Sequence, residues 1–212
     1  MKTSYDCVVV ANGRFPVTKL PLLKLREAPA IIACDGAIET LYKQGLEPTA
    51  IVGDLDSIPT AMFRLYSDRI HIVEDQEIND LTKAIRFAHA AGYRKILILG
   101  ATGLREDHTL GNISLLTDYA PLFDRVEMLS DYGLFTPLLQ TTTLSSFAGQ
   151  QVSIFSLSGD TTITTEGLKW PINNRNLTAW WQGSLNEALG DSFTITFTKG
   201  GKVIIYQTTA AK

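Results

Sequence analysis

The chain has few cysteines, no long hydrophobic run and no excess of basic residues. Only two of its 212 residues are cysteines, Cys7 and Cys34, and each lies beside an apolar run. Two isolated cysteines supply neither a disulfide framework nor a zinc site, so we predict buried, reduced thiols. No apolar stretch approaches the roughly 18 residues of a membrane span, and the first residues lack the apolar core and cleavage site of a secretory signal. These absences predict a cytoplasmic protein with no membrane partner.

The charge balance is slightly acidic. Nineteen lysines and arginines stand against 22 aspartates and glutamates, for a formal net charge of −3. A nucleic-acid-binding protein usually has a basic surface, so we expect no nucleic-acid partner. Hydrophobic residues make up 45% of the chain and charged residues 19%. That composition is typical of globular proteins, and the length suits one large domain or two small ones.

The first two-thirds of the chain alternates short β-branched runs with segments of helical periodicity. The predicted strands are 7–11, 30–34, 50–52, 70–73 and 95–99, and the predicted helices are 37–44, 60–66, 79–91 and about 107–119. In the third helix, Leu81, Ile85 and Ala88 recur at helical spacing. This alternation predicts an α/β fold with a Rossmann-like, mostly parallel sheet and flanking helices.

The pattern changes near Leu129, and no convincing helix follows Leu139. Thr-rich stretches of period two occur at 151–156, 161–165, 192–198 and 202–207, separated by turn signals. They predict a small all-β sandwich or barrel. We therefore expect an α/β catalytic domain at residues 1–138 and a β-sandwich domain at residues 139–212. The second domain is small, so we expect the first domain or a partner chain to stabilise it.

Acidic residues, glycines and one arginine follow four of the predicted strands. The segments are 35–37, 53–57, 74–83 and 100–108, with Asn112 one helical turn further on. Ligands of open α/β sheets bind at the carboxyl ends of the strands. The sequence therefore predicts that these segments meet at one edge of the sheet.

Two of the acidic residues, Asp54 and Asp56, would point the same way in an extended segment. Paired like charges are unfavourable unless a cation joins them, and carboxylate oxygens suit magnesium. The alternative is an Asp-rich turn in which Asp56 and Ser57 cap the helix after Pro59.

Asp80 and Lys83 lie three apart at a helix start, where they form either a surface ion pair or part of a site. The glycine-containing segment 100–103 lies between a strand and a helix, which favours a backbone cradle for phosphate. Arg105 can add a bidentate phosphate contact.

Asp107 and His108 open the next helix and also have two interpretations. Asp107 either serves the phosphate site or caps the helix. His108 is either a structural hydrogen-bonding residue or a general base. Asp75 and Gln76 also have two interpretations, since they either belong to the site or are loop residues before the third predicted helix.

Taken in order, these segments resemble the motif series of the thiamine pyrophosphokinases. The matching segments are DGA at 35–37, GDLDS at 53–57, DQEINDLTK at 75–83, GATGLREDHTLGN at 100–112 and SLNEALG at 184–190. Three positions depart from the family pattern: Asn79 replaces Thr, Leu104 replaces the second glycine before Arg105, and Leu185 replaces Ser.

The resemblance implies a transferase that moves pyrophosphate from ATP to the hydroxyl of thiamine, with magnesium as cofactor and AMP as leaving group. It implies Asp54, Asp56 and Asp80 as metal ligands and, with Arg105, as catalytic residues. Asp80 is our choice for the proton acceptor. The expected ATP contacts are Asp35, Lys83, Gly100, Thr102, Gly103, Arg105, Asp107 and His108.

The resemblance also implies a homodimer with thiamine bound between the subunits. The expected thiamine contacts are Gln76, Asp80 and Asn186. Trp180 or Trp181 would stack on the thiazolium, since a cation is attracted to an aromatic face. Packing in a core or an interface is the other interpretation of this tryptophan pair.

Three other functions remain open from the sequence. The first is a pyrophosphokinase for another alcohol, such as a pterin. The second is a non-catalytic nucleotide-binding module. The third is a purely structural Rossmann-like domain, which would leave the clustering of carboxylates at the strand ends unexplained.

Overall fold

The computed structural model describes residues 5–56 and 58–209, and the chain divides into two compact units. The first unit comprises residues 1–113 and 121–131, and the second comprises residues 114–120 and 132–212. Ser57, which the sequence suggested as a helix cap, lies outside the described residues. Within the described ranges, no helix is long and apolar enough to cross a membrane.

The first unit contains a parallel sheet. Its strands are β1 (Cys7–Val10), β2 (Ile31–Cys34), β3 (Ala50–Gly53), β4 (Ile70–Ile72), β5 (Lys95–Leu99) and β6 (Arg125–Leu129). They lie in the order β6-β5-β1-β2-β3-β4, and every neighbouring pair is parallel. The helices are α1 (Lys19–Arg26), α2 (Ala37–Lys43), α3 (Thr60–Leu65), α4 (Asp80–Ala90) and α5 (Glu106–Tyr119), of which α5 continues into the second unit.

The buried strands explain why this sheet could be predicted. All residues of β1, β2 and β3 are buried, as is usual for parallel strands covered on both faces. In α4, Leu81, Ala84, Ile85 and Ala88 form a buried stripe. The predicted mostly parallel sheet with flanking helices is confirmed.

Helix α1 and strand β6 were not predicted. Pro21 lies in the first turn of α1, where the backbone N–H groups have no partner within the helix, so proline is tolerated there. A proline between leucines had hidden the helical pattern. Strand β6 is short, contains the charged residues Arg125 and Glu127, and follows directly after α5 and a 3₁₀ turn at Ala120–Leu122.

The second unit contains two antiparallel sheets. Its strands are β7 (Gly133–Leu138), β8 (Thr142–Ser145), β9 (Gln151–Ser156), β10 (Thr162–Glu166), β11 (Arg175–Asn176), β12 (Asn186–Glu187), β13 (Ser192–Phe197) and β14 (Val203–Thr208), with a 3₁₀ turn at Trp180–Gly183. The strand orders are β12-β9-β14-β7 and β11-β10-β13-β8.

A single apolar core lies between these two sheets. Val152, Ile154 and Val203 come from one sheet, and Phe193 and Ile195 come from the other. The alternation along β13 is regular, since every second residue is buried. The predicted β-sandwich is confirmed.

Candidate active site

The carboxyl ends of β1, β2, β3 and β5 surround a cavity of about 480 Å³ in the first unit. Of the predicted site residues, the cavity lining includes Asp35, Asp54, Gln76, Asp80, Lys83, Thr102, Arg105 and His108. The predicted convergence of the segments after β2, β3, β4 and β5 therefore exists, and the segment after β1 joins them. Asp56, Gly100, Gly103 and Asp107 do not line the cavity themselves, although each adjoins a lining residue in sequence or space.

Lys83 lies between two carboxylates of this cavity. Its Nζ donates to Asp54 Oδ2 at 2.9 Å and to Asp80 Oδ1 at 3.0 Å, and its side chain is only 2% exposed. The surface ion pair considered from the sequence is thus a buried bridge, and its second partner, Asp54, lies 29 residues away. The lysine fixes both carboxylates relative to α4.

The charges of this bridge support one another. Burial by itself would lower the pKa of Lys83, but the hydrogen bonds to Asp54 and Asp80 outweigh it and raise the pKa above its ordinary value. The hydrogen bond from Lys83 in turn lowers the pKa of Asp54. Near neutral pH the lysine therefore stays protonated and Asp54 stays ionised.

Asp54 also belongs to an acidic cluster, which we define as Asp35, Asp54 and Asp56. One oxygen of each lies within 4.8 Å of the others. The sequence had placed Asp80 with Asp54 and Asp56, but Asp80 is not part of this cluster and pairs with Lys83. Hard oxygen ligands at this spacing fit a divalent cation, which would offset their mutual repulsion.

The acidic cluster depends on an unusual backbone at Leu55. This residue has φ of 72°, a left-handed conformation that is unfavourable for a leucine. The segment therefore turns, as in the Asp-rich turn that the sequence left open beside an extended segment, and the turn brings Asp56 to Asp54 and Asp35. Strained backbone of this kind is often found at functional sites.

The glycine loop, defined as Gly100–Gly103, follows β5 and contacts a segment that the sequence analysis overlooked. Gly13 N–H donates to Gly100 O at 2.6 Å, and Arg14 N–H donates to Thr102 O at 2.8 Å. Asn12 and Gly13 also line the cavity. The signal was available, because Asn12-Gly13 follows β1 at the same edge of the sheet.

Arg105 and Asp107 form an exposed ion pair beside this loop. The guanidinium donates to both carboxylate oxygens, at 3.1 and 2.5 Å. These bonds lower the pKa of Asp107 to about 2. Asp107 also accepts from the backbone N–H of His108 at 2.8 Å, within the first turn of α5. His108 lines the cavity.

The second unit has a separate, smaller cavity of about 220 Å³ whose lining includes Trp170, Leu185 and Asn186. Asn186 is buried, and its side-chain amide bonds the backbone of Trp170 in both directions, at 3.1 and 2.7 Å. Trp180 and Trp181 do not line this cavity. The ring of Trp180 packs edge-on against Phe155, and Trp181 is largely exposed.

The sequence was compared with known proteins. Residues 23–128 match the family described as "Thiamin pyrophosphokinase, catalytic domain", and residues 133–206 match "Thiamin pyrophosphokinase, substrate-binding domain". Thiamine pyrophosphokinase 1 of Oryza sativa subsp. japonica is 31% identical over 201 residues, which cover 80% of this chain and 75% of the rice protein.

The chain belongs to the thiamin pyrophosphokinase family.

Other members of the family agree in sequence and in fold. Thiamine pyrophosphokinase of Bacillus subtilis is 28% identical, over 84% of this chain and 86% of its own length. The crystal structure of thiamin pyrophosphokinase from Geobacillus thermodenitrificans has a TM-score of 0.77, at 24% identity, and covers 97% of this chain and 98% of that one. The protein is thus an enzyme of the thiamin pyrophosphokinase class, a family that implies ATP and a divalent metal.

The structure shows the surroundings of all three departures from the thiamin pyrophosphokinase pattern. Leu104 lines the first cavity and is exposed, and it is not among the described residues with a positive φ, so a side chain is tolerated there. Leu185 has φ of 59° and is 73% exposed, which is unfavourable for a leucine in both respects.

Asn79, the third departure, caps α4. Its Oδ1 accepts from the backbone N–H of Thr82 at 2.9 Å and from the Thr82 hydroxyl at 2.7 Å. The cap that the family's threonine would supply is therefore retained.

Proposed function

We propose that this protein transfers the pyrophosphoryl group of ATP to the hydroxyl of thiamine and releases AMP. The observation that carries the proposal is the first cavity, which combines an acidic cluster, a buried lysine bridge and a glycine loop at one sheet edge. Transfer of phosphoryl groups depends on positioning and charge neutralisation more than on covalent catalysis, and these residue types supply both.

The metal in this proposal is Mg²⁺, held by Asp35, Asp54 and Asp56. Their converging oxygens support that ligand set. A bound magnesium ion would neutralise charge on the phosphates of ATP. Asp80, the remaining predicted ligand, is better suited to a different task because it lies outside the acidic cluster.

Asp80 accepts the proton of the thiamine hydroxyl in our proposal. Its side chain lines the cavity and is 45% exposed, so an incoming alcohol can reach it. The hydrogen bond from Lys83 orients the carboxylate. Lys83 donates one N–H group to Asp80 and another to Asp54, which leaves its third N–H group for a phosphate oxygen.

The glycine loop and Arg105 bind the phosphates. Backbone N–H groups beside a helix start suit anions, and an arginine fork suits phosphate oxygens. Exposed ion pairs contribute little to stability. Arg105 can therefore exchange Asp107 for a phosphate at low cost, while His108 lines the same cavity.

Thiamine binding involves both units, which we assign to different subunits of a homodimer. Gln76 lines the first cavity and donates to Asp54 Oδ2 at 3.2 Å, so it can fix an incoming pyrimidine beside the acidic cluster. The aromatic wall comes from the second unit. Trp170 is a stronger candidate than Trp180 or Trp181, because it alone of the three lines the second cavity, with Asn186.

We also propose that the enzyme is cytoplasmic.

Incubation of the purified protein with ATP, magnesium and thiamine tests the reaction. Thiamine diphosphate and AMP should form in equal amounts, and Asp54→Asn should abolish turnover without unfolding the protein. Formation of ADP would instead indicate a monophosphate kinase. A panel that includes a pterin alcohol tests the acceptor, and turnover of the pterin alone would overturn thiamine as substrate.

A further inference from the structure

In the glycine loop, the carbonyl groups of Gly100, Ala101 and Thr102 each accept a hydrogen bond from another segment. Gly100 O accepts from Gly13 N–H, and Thr102 O accepts from Arg14 N–H. Ala101 O accepts from the side-chain Nδ2 of Asn112 at 2.9 Å. A peptide unit is planar and trans, so its N–H points away from its C=O. These three bonds therefore fix the directions of the N–H groups of Ala101, Thr102 and Gly103.

The same three N–H groups have no acceptor among residues 5–56 and 58–209. Three consecutive backbone donors without a protein partner, beside a cavity, are suited to bind an anion. Of the three bonds that orient them, only the one from Asn112 comes from a side chain.

The orientation of Asn112 is itself set by Asn79. Asn79 Nδ2 donates to Asn112 Oδ1 at 3.0 Å, which turns the Nδ2 of Asn112 towards Ala101. Asn79 cannot turn over in its place, since its Oδ1 accepts twice from Thr82 at the start of α4. We call this chain of bonds, from Asn79 through Asn112 to Ala101, the amide bridge.

We infer that the amide bridge aligns the phosphate-binding N–H groups of the glycine loop with the start of α4, and that Asn79 and Asn112 are positioning residues for the ATP phosphates. This inference rests on the proposed function and adds two residues to it. Helix α4 carries Asp80 and Lys83, so the bridge sets the register between the charged groups and the loop. A threonine at position 79 would keep the cap but is one bond too short to reach Asn112 as well.

Four variants separate the bridge from the cap and from general stability. Asn112→Ala removes the bond to Ala101, Asn79→Thr removes the link while keeping the cap, and the double variant removes both. Asn176→Thr is the control, because Asn176 is an exposed asparagine of the second unit with its own side-chain bonds. Dissociation constants are measured by calorimetry for a non-hydrolysable ATP analogue with magnesium and, separately, for thiamine.

The analogue should bind about 5-fold to 10-fold more weakly to Asn112→Ala, the effect expected for one lost hydrogen bond to a positioned group. Asn79→Thr should weaken it about 3-fold, and the double variant should be no weaker than Asn112→Ala, because both changes act on one chain of bonds. Thiamine binding, and both constants in Asn176→Thr, should stay within 2-fold of wild type.

Additive effects, an unchanged analogue affinity, or equal weakening of analogue and thiamine would overturn the amide bridge. These outcomes differ from a failure of the proposed function, in which wild type binds the analogue but produces no AMP from ATP and thiamine. Wild type that does not bind the analogue would overturn both. The calorimetric constants do not depend on turnover.

Discussion

Lys83 is the residue on which the charges of the first cavity depend. Lys83→Met leaves Asp54 and Asp80 without their shared cation in a site where the lysine is almost fully buried. Because Asp80 is half exposed, we expect unfolding free energy to fall by about 1–3 kcal/mol, less than for a fully buried pair. Urea denaturation measures this, and kcat/KM should fall by about 100-fold or more.

Lys43→Met is the control for this change. Lys43 forms an exposed pair with Glu39 on α2, and such pairs contribute about 0.5 kcal/mol or less. Its stability and activity should match wild type. Equal effects of the two variants would show that Lys83 is only another surface charge.

The two cysteines predict a pH dependence of stability. Burial raises the pKa of Cys7 to about 12 and raises that of Cys34 as well. In the unfolded chain a thiol loses its proton near pH 8.5. The folded-state pKa is raised, so the stabilising effect is complete below pH 8.5 and is lost as pH rises towards 12. Between pH 9 and 10 each thiol should reduce unfolding free energy by about 1.4 kcal/mol per pH unit.

A variant with Cys7→Ala and Cys34→Ala provides the comparison, measured by urea denaturation at several pH values. Its stability should decline less steeply with pH than that of wild type. Parallel declines would mean that other groups, such as lysines and tyrosines, account for the alkaline loss. The native thiols should also react slowly with a thiol reagent at pH 8.

At the level of elements, the end of β3 requires a glycine. A Cβ on Gly53 would lie 2.7 Å from Cβ of Asp35, so Gly53→Ala must displace the buried member of the acidic cluster. Such overpacking costs about 1–3 kcal/mol. We expect a loss of this size in urea denaturation and a metal dissociation constant at least 10-fold higher, measured by calorimetry.

Gly159→Ala is the matched change, because a Cβ there meets no atom within 4 Å and the residue has no positive φ. It should leave both quantities unaltered. If Gly53→Ala bound the metal normally, Asp35 would not be a ligand.

The turn before β12 is strained by Leu185. Asparagine tolerates a positive φ better than leucine, so Leu185→Asn should raise unfolding free energy by about 0.5–1 kcal/mol. Leu189→Asn is the control, since Leu189 is similarly exposed but is not among the described residues with a positive φ. A gain in both variants would reflect solubility of the surface and not relief of strain.

At the level of the whole molecule, the proposed homodimer makes a quantitative prediction. If each site combines the first unit of one subunit with the second unit of the other, inactive variants can complement each other. Asp54→Asn affects the first unit and Trp170→Ala the second. Random exchange of subunits gives half heterodimers, each with one intact site, so about 25% of wild-type activity should return.

Asp54→Asn mixed with Lys83→Met is the control, because both changes affect the first unit and every site keeps one defect. No activity should return in that mixture. Equal activities in the two mixtures would place each site within a single subunit. Light scattering of the wild type should give about twice the chain mass of 23.3 kDa.

Local patterns were enough to predict the architecture of both units. Continuous apolar runs identified β1–β5, and period-two alternation identified β9, β10, β13 and β14, because burial on one or both faces of a strand constrains which positions are apolar. The other four strands of the second unit were not predicted. Helix α1 was missed because proline is tolerated in the first turn of a helix but disrupts a helix interior. The sequence suggested a change of domain after residue 138, whereas the compact units divide at 131, with 114–120 in the second unit.

What the sequence by itself determined is the set of chemical groups at one sheet edge, because parallel strands bring their carboxyl ends together whatever their order. Only the tertiary structure decided how these groups pair. The pairing of β2 with β3 places Asp35 beside Asp54, and the left-handed residue Leu55 turns Asp56 towards them. Lys83 joins Asp54 to Asp80 by pairing with both. Asn186 likewise bonds Trp170 across 16 residues of chain. Such contacts depend on backbone strain and on the reach of side chains between distant segments. Neither can be predicted from the spacing of residues in the sequence.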